Sequence, residues 1–210
     1  MSTQTTITAI AFDWGGIFTE GTFDSSAVAN LSGVTGASEA RVAETYYPLM
    51  EHFEVGAFDF SEFYKRFSEG TGLEVGENTF RKTFLGSVRE RASMFGILDA
   101  IPQDYTVGML SNNVPVLCDT VRDDPRMSRF EHFVFSNEIG VRKPDAEAFA
   151  KLTEALEHPP KQTVFIDDNK ANIEACNALG YQGILLDSFD NFLARFEALL
   201  PNISIPESVK

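Results

Sequence analysis

The chain has 210 residues, 43% hydrophobic and 23% charged, which suits one or two folded domains and reads as a globular protein rather than a disordered one. Its formal charge of −14 argues against nucleic acid, whose binding is dominated by neutralising phosphates with Lys and Arg. No apolar run approaches the ~20 residues that span a bilayer, and Met1–Thr6 lacks the basic and apolar blocks of a secretion signal. A cytoplasmic protein without membrane or nucleic-acid partners is therefore expected. Cys118 and Cys176 fall inside helical patterns without ligand-like neighbours and read as reduced packing residues.

The first apolar run, Ile7–Phe12, reads as a buried strand and ends in Asp13-Trp14-Gly15-Gly16. A carboxylate at a strand tip, followed by two glycines, stands where open α/β sheets place their ligands. From Thr22 to Arg91 the period becomes helical, as in Val42, Tyr46, Leu49 and Phe53, then Phe60, Phe63, Tyr64 and Phe67. Asp59 with Glu62 has the spacing of a capping box. Seven of the nineteen phenylalanines lie between Phe53 and Phe84, which suits a small helical bundle with its own core. The expected division is a core of residues 1–19 and 92–210 with a helical domain, 20–91, inserted between its first two strands.

Further strands are predicted at Thr106–Leu110, Phe133–Phe135, Thr163–Ile166 and Gly183–Leu186. Helices alternate with the later ones. Asp145 is placed to cap one carrying Phe149, Leu152 and Leu156. Asn169 is placed to cap another with Ile173, Cys176 and Leu179 on its buried side and Gly180 as its stop, and Phe192, Phe196 and Leu199 mark a last helix. This alternation implies a Rossmann-like α/β fold with a doubly wound parallel sheet. Pro201–Lys210, with two prolines and no periodicity, reads as a loose tail.

Polar groups close three more strand regions: Ser111-Asn112, Lys143-Pro144-Asp145 and Asp167-Asp168. A lysine before proline is held extended, so its side chain can be aimed consistently. Adjacent carboxylates repel, and a divalent cation such as Mg²⁺ compensates them, taking one or two carboxylates plus other oxygens. Neighbouring strand residues point to opposite faces, so one of the pair is expected to be a direct ligand. An acidic chain that takes an anionic substrate also needs local positive charge, from a metal or a few placed cations.

The four strand-end sites, in this order, resemble the haloacid dehalogenase (HAD) superfamily of hydrolases and phosphatases, and the helical insertion stands where some of its subfamilies carry a cap domain. The resemblance implies that Asp13 is a nucleophile that forms a covalent aspartyl intermediate. It implies that Ser111 binds an oxygen of the transferred group, that Asn112 helps orient the substrate, and that Lys143 balances the negative charge. It assigns Mg²⁺ to Asp13, the backbone carbonyl of Gly15 and Asp168, with Asp167 and Asn172 in support. Gly15 is a departure: phosphatases of the superfamily normally have a second aspartate there, which protonates the leaving group and then activates water. Such help is worth ~10²–10⁴ in rate. Similar Asp-x-Gly-Gly turns nevertheless occur in members that include sugar-phosphate phosphatases.

The expected activity is Mg²⁺-dependent hydrolysis of a small, anionic organic phosphate. One alternative is a dehalogenase-like hydrolase acting at a carbon centre, where no second aspartate is needed but no metal is used either. The other is a non-catalytic binding protein with the HAD fold. Tyr46, Tyr47, His52 and Lys65 are the candidates for substrate selection from the insertion.

Overall fold

In the computed structural model, which describes residues 6–72 and 75–210, five parallel strands form one sheet. They are β1 (Ala9–Phe12), β2 (Thr106–Ser111), β3 (His132–Phe135), β4 (Thr163–Asp167) and β5 (Gln182–Leu185). The spatial order is β3-β2-β1-β4-β5. β1 is central, paired through Phe12 to Met109 of β2 and to Ile166 of β4, and all four of its residues are buried. Burial on both faces explains its continuous apolar run. The order reverses at β1, so the carboxyl ends of β1 and β4 form the switch point where such sheets bind ligands.

Alternation along the strands divides the core between the two faces. Ile10, Phe12, Val164 and Ile166 belong to one apolar cluster, and Ala9, Ala11 and Phe165 to the other. Between β1 and β2 run four consecutive helices, α1 (Phe23–Thr35), α2 (Glu39–Phe53), α3 (Phe60–Thr71) and α4 (Glu77–Leu85), followed by α5 (Ala92–Asp99). Their phenylalanines stack on one another, with Phe53 and Phe63 rings 4.7 Å apart. Their buried residues are continuous with the cluster on one face of the sheet. Asp59 caps α3 by accepting from the Glu62 amide, while the Glu62 carboxylate turns to Arg66, so half of the capping box forms.

The later helices are α6 (Pro115–Asp123), α7 (Ser136–Ile139), α8 (Ala146–Leu156), α9 (Lys170–Ala178) and α10 (Phe189–Leu199). Asn169 caps α9 through the Ala171 amide, whereas Asp145 contributes only its backbone carbonyl at the start of α8. Leu179 is not on the buried side of α9: it is 40% exposed, because the helix ends at Ala178 and Gly180, at φ 95°, turns the chain away. Nor is the C-terminal segment loose. Ile203 and Ile205 are buried, and Val209 packs so closely on Gly96 that a Cβ there would lie 2.5 Å from it. Cys118 and Cys176 are free and buried. Residues 1–5, the start of the expected core, and 73–74, inside the expected insertion, lie outside the described residues. Among the described residues no helix is long and apolar enough to cross a membrane.

Candidate active site

Asp13 continues β1 by one residue, its amide donating to the Ile166 carbonyl, and its carboxylate accepts from the Trp14 amide at 2.7 Å. Lys143 approaches from the loop after α7. Its ammonium lies 3.0 Å from Asp13 Oδ1 and 2.6 Å from Asp167 Oδ2, with its side chain fully buried. Asn112 fixes that loop: its Oδ1 accepts from the Lys143 amide at 2.8 Å and its Nδ2 donates to the Lys143 carbonyl at 3.0 Å. The Asn112 side chain therefore positions the lysine. The Lys143–Pro144 bond is cis.

Asp167 is saturated. Besides Lys143, it accepts from the Asn172 amide at 3.0 Å and 3.2 Å and from the Asn169 backbone at 2.8 Å. Asp168 faces the cleft beside Asp13. Its carboxyl group passes so close to Gly16 that a Cβ at that glycine would lie 1.9 Å from Oδ2; the φ of 70° at Gly16 also requires a glycine. Gly15 is different. Its φ is not in the left-handed region, and a Cβ there would meet nothing within 4 Å. The point at which a side chain of residue 15 would begin is thus open space. Ser111 Oγ is buried near Asp13 but makes no hydrogen bond of normal geometry. It is close enough to draw the Asp13 carboxyl down slightly.

The electrostatics follow from crowding three carboxylates around one ammonium. Oxygens of Asp13, Asp167 and Asp168 lie within 4.8 Å of one another. Burial pushes the Asp13 carboxyl up to about 7, with Lys143 pulling down and Asp167 pushing up. Burial and then Asp167 raise Asp168 as well. Burial pulls Lys143 down, but Asp13 and Asp167 outweigh it and hold the ammonium above its ordinary value. Three carboxylates and one ammonium leave a charge of −2 when all are ionised, which one divalent cation neutralises. Asp13 and Asp168 have oxygens to give such an ion, whereas those of Asp167 are engaged. The donor set therefore fits a hard cation such as Mg²⁺.

These groups open into a cleft of about 170 Å³. One wall is the core: Asp13, Gly15, Asn112, Arg142, Lys143, Asp168 and Asn172. The other comes from the helical insertion: Thr22, Phe23, Asp24, Met50 and Glu54. Tyr46, Tyr47, His52 and Lys65 do not line it. Tyr46 is buried and donates to Asp24 Oδ1 at 2.8 Å, Tyr47 is 46% exposed, and His52 and Lys65 are exposed. Sequence reasoning missed Asp24, Glu54 and Arg142. For Glu54 a signal existed, because Val42, Tyr46 and Met50 form a four-residue stripe on which the next position is a carboxylate.

Residues 7–180 match a family model described as a hydrolase, haloacid dehalogenase-like hydrolase. Among characterised proteins, the sesquiterpene phosphatase astK of Aspergillus oryzae is 27% identical over 65% of this chain and 71% of its own. The D-ribitol-5-phosphate phosphatase of Bacteroides thetaiotaomicron is 22% identical over 82% and 88%. Flavin mononucleotide hydrolase 1 of Arabidopsis thaliana is 27% identical over 45% of this chain, which spans only 39% of that protein. Among solved structures, a HAD-like hydrolase of Porphyromonas gingivalis superposes with a TM-score of 0.77 at 25% identity, covering 92% of this chain and 98% of the other. A HAD-family enzyme of B. thetaiotaomicron, in complex with magnesium and inorganic phosphate, gives 0.73 at 21% identity, covering 85% and 93%.

Proposed function

The chain belongs to the haloacid dehalogenase-like hydrolase family, and within it we propose that the protein is a Mg²⁺-dependent phosphatase acting on a small organic phosphate. The observation that carries this reading is the buried array of Asp13, Lys143, Asp167 and Asp168 at the switch point of the sheet, short of positive charge by the amount one divalent ion supplies. The similarity to two phosphatases and to a fold-mate that binds magnesium and phosphate supports it. The helical insertion serves as a cap that closes the cleft over the phosphate.

In this reading Asp13 attacks phosphorus and forms an aspartyl-phosphate as the leaving oxygen departs; water then cleaves that intermediate and restores the carboxylate. Mg²⁺, held by Asp13, Asp168 and the Gly15 carbonyl, would supply charge stabilisation for the transferring phosphoryl group and keep Asp13 ionised at neutral pH. Lys143 is preorganised by Asp167 and Asn112, so its charge is in place before the substrate arrives. The unpartnered Ser111 hydroxyl provides a hydrogen bond for a phosphoryl oxygen. Asp167, held by Asn172 and the Asn169 amide, keeps the ammonium aimed.

A screen of phosphate esters and 2-haloacids, with and without Mg²⁺, tests the reading together with Asp13→Asn. Phosphate release that requires Mg²⁺ and falls to background in the variant supports it. Retention of more than about a tenth of the activity removes Asp13 as the nucleophile. Haloacid turnover unaffected by chelation would replace the phosphatase reading with a dehalogenase-like one.

A further inference from the structure

Gly15 leaves a chemical need unmet. An alkoxide leaving group requires a proton, and the water that cleaves the aspartyl intermediate must lose one. Lys143 and Asp167 are engaged with each other, and Asp13 and Asp168 serve as nucleophile and metal ligands. The remaining acids of the cleft come from the insertion. Asp24 already accepts the Tyr46 hydroxyl. Glu54 lines the cleft and is 8% exposed, and its Oε2, though ion-paired with Arg142, accepts no hydrogen bond. Arg142 stands 3.1 Å from that oxygen but outside hydrogen-bonding geometry.

The position of Glu54 is built. It caps the carboxyl end of α2, and its backbone carbonyl accepts from the Ser136 hydroxyl of the core. Two residues on, Gly56 lies so close to the Asn137 carbonyl that a Cβ would stand 2.4 Å from it. These contacts hold the end of α2 against the wall that carries Asn113 and Lys143.

We propose that Glu54, brought in by the insertion, is the acid and base that Gly15 cannot provide. As Asp13 bonds to phosphorus and the P–O ester bond breaks, the Glu54 proton passes to the leaving oxygen and the alcohol departs. The Glu54 carboxylate then takes a proton from the water that attacks phosphorus; phosphate leaves, Asp13 is released, and Glu54 is protonated again. Burial supports this role by pushing the Glu54 carboxyl up to about 7. Arg142 and Lys143 pull it down, and Asp24 and Asp13 push it up. A group near neutrality is the effective choice for both transfers.

The inference rests on the phosphatase reading, and two variants separate their failures. Initial rates are measured with Mg²⁺ from pH 5 to 9 on p-nitrophenyl phosphate, whose leaving group hardly needs a proton, and on glycerol phosphate, whose leaving group does. Asp13→Asn tests the phosphatase reading alone and should abolish both; if it does not, both ideas fall. Glu54→Gln should lower kcat/KM, which reports only the steps up to departure of the alcohol, by about 100-fold or more on glycerol phosphate and by less than about tenfold on the aryl ester. It should also remove the decline of alkyl-ester kcat/KM at high pH. Gly15→Asp in the Glu54→Gln background should recover at least about tenfold of the alkyl rate, which a merely structural Glu54 would not allow. Equal losses on the two esters, or no loss on either, overturn the proposal. So does an Arg142→Met variant with the same ester selectivity, because Glu54 would then act through its ion pair. Should Glu54→Gln not fold, the wild type decides: an alkyl-ester kcat/KM level from pH 5 to 9 also overturns it.

Discussion

Lys143 Nζ and Asp167 Oδ2 lie 2.6 Å apart with both side chains fully buried. The pair is fixed from both sides, by Asn112 on the lysine backbone and by Asn172 and the Asn169 amide on the aspartate. Its removal in part is costly, because a buried charge left without its partner destabilises by about 3–5 kcal/mol. Lys143→Met is expected to lower Tm by roughly 10 °C at this chain length. Adding Asp167→Asn should recover part of that loss. A melt for Lys143→Met within a degree or two of wild type would contradict the charge accounting on which the cation site rests.

Mg²⁺ should stabilise the folded chain by mass action, about 2.7 kcal/mol at 100 times Kd, or roughly 5–10 °C in Tm. Asp168→Ala should abolish that response. Gly16→Ala should also weaken it, since the new methyl group occupies the place of the Asp168 carboxyl group. Melting curves with and without Mg²⁺ check this, and an undiminished shift in Asp168→Ala would move the ion elsewhere.

Gly15→Asp should fold, because the backbone there is not left-handed and nothing stands within 4 Å of the added Cβ. The new carboxyl supplies a second acid beside Asp13. With Glu54 already supplying that proton, alkyl and aryl phosphate hydrolysis should each change by less than about tenfold, a small part of the range of general acid catalysis. A folded variant whose alkyl rate rises about 100-fold would show that the wild-type cleft supplies no acid.

The raised carboxyl of Glu54 gives a pH dependence of defined sign. Its ordinary value is 4.5 and its folded value about 7, so between them the folded state holds a proton that the unfolded state has lost. Stability from this group is fully present below 4.5 and is lost as pH rises through 7. The loss amounts to about 3 kcal/mol by linkage. Urea unfolding of wild type and Glu54→Gln at pH 5 and pH 8, without Mg²⁺, isolates it. The variant should gain on the wild type at pH 8 by about that amount. A constant difference between the two would mean that Glu54 titrates normally.

Much of the sheet was legible because a fully buried parallel strand needs a continuous apolar run, and each run here ends in a turn with polar residues. Ile7–Phe12 and Thr163–Ile166 were placed to within two residues of β1 and β4. Their last side chains necessarily meet at the switch point. The meeting of Asp13, Ser111, Asp167 and Asp168 was legible for the same reason, since parallel neighbours put their carboxyl ends at one edge; Lys143, expected at a strand end, instead reaches the site from the loop after α7. Periodicity was less informative where a helix ends. Leu179 continues the apolar spacing of α9 but falls one residue past its last turn. The prolines of the C-terminal segment hid the fact that Ile203 and Ile205 find apolar partners in the main core.

By itself, then, the sequence determined the strands, their parallel alternation with helices, the amphipathic stripes of the insertion and the residues at each strand tip. All of these depend on local periodicity and on neighbours within a few positions. The tertiary structure decided which groups share a charge and which wall each one faces. Asn112 holds Lys143 across 31 positions of sequence, and Ser136 holds the end of α2 across 82. No periodicity encodes such contacts, because they follow from how the insertion lies on the sheet. That arrangement brings Glu54 to the cleft and leaves Tyr47, His52 and Lys65 on the outer surface, although all four belong to the same run of helices.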